Sequence, residues 1–346
     1  MLINMAIDTG YGYICGKSSV KPEGIIFPNY IEKVYEQQAL EDIRPNIETI
    51  DIDNMLVRFK DDYYLVGKSV FLVNLKPQRN IEINGRVGSK IHLIQLLTSM
   101  ILLNPNSNNF KVHLVVGLPN VLRKDMAKCE EWLKDKFEIE VITKNDITKY
   151  EIEVVNCTCM PQAYAPIYTI NEEQRKQTIM SIDIGHNTTD ILLINNLKTI
   201  ADEKLIAKLR GVEFCYQELA GILDKRYRNL DIVDLQNAIE YGKFSYYGDM
   251  IDVTKELKYV FTKFTDYLIN EINTIYDSYF SKIFAVYVNG GILNNNMFRT
   301  IFAQEVKRLN NNKPVATYTN PQLAIVDGMF EYAKRYFKDD FNQRRE

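Results

Sequence analysis

The sequence predicts an α/β protein made of two duplicated domains facing each other across a cleft. Three observations carry that prediction. A strand, an Asp-x-Gly turn and a second strand open the chain, as residues 2–7, Asp8-Thr9-Gly10-Tyr11-Gly12 and 13–16. The same device returns about 175 residues later, as 179–184, Gly185-His186-Asn187 and 188–194, with Asp183 before the turn. Elsewhere strands alternate with helices, the pattern of a partly parallel sheet with helices on its faces. A length of 346 residues is enough for two hydrophobic cores.

The turns suggest anion chemistry. Gly185 can adopt a positive φ, so successive backbone N–H groups can converge on one anion. Asp183 stands where a carboxylate reaches a metal ion bound to that anion, and Thr188 and Thr189 add hydroxyl donors. A single Asp-x-Gly turn equally suits an ordinary tight hairpin. Two such turns facing each other would pinch a polyphosphate, each with one Asp on a hydrated Mg²⁺.

Composition narrows the classes. The chain is 46% hydrophobic and 25% charged with a net charge of −3. That balance argues against broad non-specific DNA binding, so any contact with DNA would run through a partner. No apolar run approaches the ~18 residues of a membrane span. The start resembles no signal peptide, and a core strand at Leu2 leaves no room for a membrane-binding helix. The five cysteines lack zinc spacing, and Cys157-Thr-Cys159 reads as a buried alternating pair. The expectation is a cytoplasmic, reduced protein.

In chain order, residues 18–88 read as an inserted subdomain with a hairpin of 57–59 and 63–66 around Lys60-Asp61-Asp62. A buried apolar helix spans 89–103 and a continuous apolar strand 112–118. Asn120 can cap a helix carrying Leu122, Met126, Cys129 and Leu133 on one face. Strands return at 138–142 and 151–155. Gln162, after Pro161, is either a surface residue or, beside two phosphate turns, the group that orients an attacking water. Beyond the second hairpin come a strand at 199–206 and helices at 211–223 and 230–240, the latter with Gln236 and Glu240 on its polar side. A long helix at 255–280 has Leu257, Phe261, Phe264, Leu268, Ile272 and Ile275 as a core stripe. The strand 283–288 ends at Asn289-Gly290-Gly291, where a backbone can approach a ring or sugar. A helix at 297–309 follows. Asn320 and Pro321 then read as N-cap and first residue of a helix bearing Val326, Met329, Phe330, Ala333 and Phe337. The charged tail 338–346 reads as frayed. His92 and His113 read as core residues; His186 touches phosphate or faces solvent.

The ordered set of residues 7–16, 159–165, 182–190, 287–292 and 324–328 resembles the actin/Hsp70/sugar-kinase ATPase superfamily over essentially the whole chain. Gly117-Leu118-Pro119, Thr9-Gly10-Tyr11-Gly12 and the compact length look like the bacterial ParM-type plasmid-segregation actins. The resemblance implies an actin-like domain at 1–165 with an insertion at about 18–88, a second at 166–320, and a C-terminal helix at 321–346 returning to the first. It implies ATP, with GTP as the alternative, and Mg²⁺ near Asp8 and Asp183. Thr9, Gly10, Tyr11, Gly12, Gly185, His186, Asn187 and Thr188 would line the phosphates. Gly290, Gly291 and Ile292 would meet the nucleoside, with Gln236 or Glu240 toward the base, and Gln162 would place the hydrolytic water. Many relatives carry a phosphate-contacting Lys where this chain has Cys15; Lys17, on the same strand face but farther from the phosphates, is the nucleotide-binding candidate in its place. The implied function is an ATPase that polymerises head to tail and segregates plasmid DNA through a small DNA-binding adaptor of the ParR type. A small-molecule (sugar-type) kinase of the same superfamily is the alternative, although it needs a carboxylate where Gln162 stands. A membrane-linked cytoskeletal adaptor is a third class.

Overall fold

The computed structural model describes residues 1–74, 77, 85–200 and 209–341. The chain divides into two compact units, Met1–Thr169 with Ile325–Glu346, and Ile170–Ala324.

Unit 1 opens with an antiparallel hairpin of β1 (Leu2–Thr9) and β2 (Tyr13–Ser18). Then come β3 (Ile25–Pro28), β4 (Ile31–Val34), β5 (Leu56–Phe59), β6 (Asp62–Val66), α1 (Lys90–Leu103), β7 (Asn109–Leu118), α2 (Met126–Leu133), β8 (Lys136–Ile142) and β9 (Ile147–Pro161). One nine-stranded sheet runs β3-β2-β1-β7-β9-β8-β5-β6-β4. In it β7 pairs parallel to both β1 and β9. Apart from its first residues β7 is buried, as expected of a central parallel strand covered on both faces. The strands β3 to β6, from the stretch read as an inserted subdomain, extend both edges of this sheet. Tyr30, Ile43, Leu56 and Leu65 give them a small core of their own. The hairpin around Lys60 is present as β5–β6, with Lys60 at φ 59° in its two-residue turn. Helix α1 is capped by Ser89, whose hydroxyl accepts from the His92 N–H at 3.1 Å. From His92 onward α1 is buried on every side.

Unit 2 contains α3 (Glu172–Arg175), β10 (Thr178–Ile184), β11 (Thr188–Asn195), β12 (Lys198–Thr199), β13 (Leu209–Arg210), α4 (Glu213–Leu223), α5 (Ile232–Tyr241), β14 (Lys243–Tyr246), β15 (Asp249–Asp252), α6 (Thr254–Tyr276), β16 (Ala285–Asn289), α7 (Asn296–Leu309) and β17 (Val315–Thr317). Its sheet runs β12-β11-β10-β16-β17, with β13 beside β11. The strands β10, β16 and β17 are parallel. Of the strand expected at 199–206, Thr199 falls in β12 and 201–208 lie outside the described residues. The hairpin β14–β15 was not read from sequence. The stripe of α6 is core as expected, but the helix ends at Tyr276, and Asp277–Tyr279 is a 3₁₀ turn.

The last helix, α8, spans Ala324–Tyr336, so Asn320 and Pro321 precede it instead of capping it. Their carbonyls are used otherwise: Pro321 accepts from the Gly290 N–H at 3.0 Å, and Asn320 from the Leu323 N–H at 3.1 Å. The tail is docked, not frayed, as far as Phe341. Asp339 is buried and accepts from the Asn4 N–H and the Ser19 hydroxyl. Phe341 packs on the unit-1 core. His113 stacks on Phe337 with centroids 4.9 Å apart, and the five cysteines are all buried and outside any disulfide. No helix among the described residues is long and apolar enough to cross a membrane.

Candidate functional site

The hairpin and the parallel strand beside it recur in both units and place one aspartate each. Asp8 lies between Cys15 of β2 and Gly117 of β7. Asp183 lies between Asp190 of β11 and Asn289 of β16. Both carboxylates are buried, and each accepts a hydrogen bond from a side-chain amide. Gln162 Nε2 donates to Asp8 Oδ1 at 2.5 Å. Asn289 Nδ2 donates to Asp183 Oδ1 at 2.6 Å.

In unit 1, Gln162 leaves the end of β9 on a 3₁₀ segment, Gln162–Thr169, and is buried. This rules out the surface reading of that residue. A Cβ on Gly117 would come within 2.9 Å of Asp8 Oδ1, so the glycine makes room for the carboxylate over β7. Burial raises the Asp8 carboxyl to about 6, against the opposing pull of the Gln162 bond and the Arg86 charge. The turn itself is braced. Asn29 Nδ2 donates to the Gly10 carbonyl at 2.6 Å, the Gly12 carbonyl accepts from the Asn29 N–H at 3.0 Å, and Gln95 donates to Asn29. Thr9 Oγ1 meets His92 Nε2 at 3.0 Å. Burial, reinforced by the Arg86 charge, pulls the His92 ring down to about 3, so it is neutral. Tyr11 is buried beneath the Arg86 guanidinium, 4.7 Å from its ring centroid. Lys17 is paired with Asp327 of α8 at 2.5 Å and sits opposite Ala6, two positions along β1 from Asp8.

In unit 2, the carbonyls of Gly185, His186 and Asn187 accept from the N–H groups of Val212, Glu213 and Gly211 at 3.0, 2.8 and 3.0 Å. In a trans peptide N–H and C=O point opposite ways, so the N–H groups of His186, Asn187 and Thr188 face away from that contact. The turn forms without the positive φ expected at Gly185. The glycine is needed there for space, because a Cβ would lie 2.9 Å from the Thr188 carbonyl it is bonded to. Thr188 Oγ1 approaches Asp190 Oδ2 at 3.4 Å. Thr189, expected as a donor at the turn, instead donates to the Arg210 carbonyl at 2.9 Å. Asn187 Oδ1 is buried without a hydrogen-bond partner. The His186 ring packs edge-on to Tyr216. Gly290 has φ 121° and backs so closely onto β10 that a Cβ would meet the Ile184 carbonyl at 2.2 Å. Gly291 follows against Gln322. The Ile292 side chain belongs to the unit-2 core, which leaves only its backbone to meet a ligand. Gln236 lies on α5 with Nε2 buried and unpartnered.

Sequence reasoning missed Arg86, Asn29, Gln95 and the clamping role of Asn289. Asn289 was legible: it is the last residue of the strand that pairs with the one carrying Asp183. Arg86 and Asn29 came from the unparsed stretch and carried no motif. Among the described residues no group of three or more His, Cys, Asp or Glu could hold a metal ion. Taken by itself, each unit offers one buried carboxylate beside its turn, an oxygen donor of the kind that suits magnesium held mainly through phosphate and water.

Two family models cover most of the chain. Residues 6–164 match the N-terminal domain of actin-like proteins, and residues 181–292 match the C-terminal domain of the archaeal MreB-like actin homologues. The chain is an actin-like protein of the actin-like ATPase superfamily. Its fold is similar to that of the 15-stranded ParM filament protein from Clostridium botulinum, at 23% identity and TM-score 0.74, covering 96% of this chain and 99% of that one. It is also similar to the archaeal actin homologue Ta0583, solved with ADP, at 16% identity and TM-score 0.77 with coverage of 96% and 99%. The actin-like protein Alp7A matches at 14% identity and TM-score 0.76, with 96% of each chain covered. No curated protein matches the chain in sequence.

Proposed function

We propose that this protein binds and hydrolyses ATP with Mg²⁺ and assembles head to tail into dynamic filaments that segregate plasmid DNA. The observation that carries the reading is the duplicated device of a buried aspartate near the end of its strand, held by a side-chain amide beside a glycine-containing turn. Residues 1–165 with 321–346 form one actin-like domain in this reading, and 166–320 the second. Asp8 and Asp183 hold the hydrated Mg²⁺, which supplies charge neutralisation to the phosphates. Gly10, Tyr11 and Gly12, and His186, Asn187 and Thr188, bind phosphate through backbone N–H groups, with Gly185 making room for the second turn. The backbone at Gly290 and Gly291 meets the nucleoside, and Gln162 orients water once it leaves Asp8. Lys17, already paired with Asp327, is replaced by another cation. The ParM filament fold supports self-association, and the net charge of −3 supports reaching DNA through a basic adaptor of the ParR type. The reading places the protein in the cytoplasm.

One observation favours a second reading. Asp8 is a buried carboxylate hydrogen-bonded to Gln162, and a carboxylate is what the sugar-kinase alternative needs as general base toward a substrate hydroxyl. The deciding experiment is 90° light scattering of the protein on adding Mg·ATP or Mg·GTP, with phosphate release followed in the same sample. We expect scattering to rise with acceptor-independent phosphate release, both absent in Asp183→Ala. Flat scattering, with no turnover until a sugar is supplied, would overturn the filament reading in favour of the kinase.

A further inference from the structure

The first turn has a cation above it that no motif announced. Arg86 is only 7% exposed. Its guanidinium lies over the face of Tyr11, the central residue of the Gly10-Tyr11-Gly12 turn, at 4.7 Å. It is near enough to Asp8 to lower that carboxyl, yet among the described residues it forms no ion pair. Its Nη1 is buried and has no hydrogen-bond partner. A buried guanidinium with an orphaned N–H is costly; the stacking on Tyr11 offsets only part of that cost. Such a group is stable in a fold when an anion completes it.

The surrounding charges say which anion. Position 15, opposite Asp8, is a neutral buried cysteine, and Lys17 is already neutralised by Asp327. The backbone turn beneath Arg86 can hold phosphate oxygens, but its hairpin offers no unpaired cation of its own. A planar guanidinium presents parallel donors that match two oxygens of one phosphate, and stacking on Tyr11 fixes the plane of the fork.

We infer that Arg86 binds the phosphate chain of the nucleotide at the first turn, supplying the positive charge that the β1–β2 hairpin lacks. The inference rests on the nucleotide reading above. It assigns Tyr11 a second role, as the platform that orients the fork.

Calorimetric binding of Mg·ADP, Mg·ATP and adenosine to the full chain tests it, with Arg86→Gln and Arg86→Lys as variants and circular dichroism as the check on folding. R86Q should bind ADP and ATP about 30-fold more weakly, equivalent to the ~2 kcal/mol of one charge-assisted hydrogen bond, and adenosine unchanged. R86K keeps the charge and loses the fork, so it should fall between the two. Inorganic pyrophosphate should compete with ADP on the unaltered chain and about 30-fold less well on R86Q. Equal ADP affinity in the unaltered chain and R86Q overturns the assignment alone, as does an equal loss for adenosine. Should R86Q fail to fold, R86K decides, and an ADP affinity within twofold of the unaltered chain's overturns the bidentate fork. If the unaltered chain binds neither ADP nor ATP, the nucleotide reading falls and takes this inference with it.

Discussion

Asp8 and His92 titrate in opposite senses, and the difference is measurable. Burial holds the Asp8 carboxyl near 6, above the ~3.9 of an unfolded aspartate. Between those values the folded chain keeps a proton that the unfolded chain has lost, so the contribution of Asp8 to stability declines as pH rises from about 4 to 6. His92 is held near 3, below the ~6.5 of a free imidazole. Its contribution is complete above about 6.5 and is lost as pH falls, because only the unfolded chain binds the proton. From about 4 to 6 the two slopes oppose each other. Asp8→Asn should therefore make the ligand-free protein more acid-sensitive in that window, by about 1.4 kcal/mol per pH unit, and His92→Gln less so. The single tryptophan, Trp132, is 6.0 Å from the His92 ring between centroids, so its fluorescence in urea titrations at pH 4.5, 5.5 and 6.5 reports the right unit. Parallel pH profiles in all three proteins would refute both assignments. At this scale the sequence showed the acids and hid their partners. An Asp before a turn glycine is a local pattern, whereas the Gln162 and Asn289 bonds depend on strand pairing, and Arg86 and Asn29 on loops without periodicity.

The contact between α8 and the segment after Gln162 is tight enough to require a glycine. A Cβ on Gly328 would sit 1.9 Å from the Ala165 carbonyl, so this helix backbone lies directly on the turn that carries Gln162. Gly328→Ala should cost about 1–3 kcal/mol or more by overpacking, read from Trp132 on unfolding. Gly221 on α4 is the contrasting case: exposed, with nothing within 4 Å of an added Cβ. Gly221→Ala should stabilise unit 2 by roughly 0.5–1 kcal/mol through helix propensity. If the two substitutions behave alike, close approach is not what fixes Gly328. Periodicity made the apolar faces of α6 and α8 legible in advance, and Ser89 lies at the start expected for α1. The start of α8 and the docking of Asp339 were not legible, since both are set by carbonyls and donors from distant parts of the chain.

Each unit carries its own hydrophobic core, but they differ in how the chain completes them. Unit 2 is the continuous stretch Ile170–Ala324, while unit 1 needs both ends of the chain. A fragment of 170–324 should fold alone with a cooperative urea transition. A chain ending at Ala324 should keep a protease-resistant unit 2 while unit 1 is digested, because α8 and Asp339 are gone. Equal resistance of both halves would refute that dependence. The duplication was legible at this scale from two Asp-x-Gly turns alone, and the hairpin β14–β15 was not, its strands being only four residues each. The Leu2 N–H donates to Asp340 Oδ2 at 2.8 Å and the Asp340 N–H to the Leu2 carbonyl at 3.2 Å, so the first strand meets the last turn. On the ribosome this reverses the usual order. The sheet begun at Leu2 stays incomplete while all of Ile170–Ala324 is translated and folds, roughly 10–30 s at about 5–20 residues per second. The half of the protein made first is the half finished last, and during that interval its apolar face is what chaperones would meet.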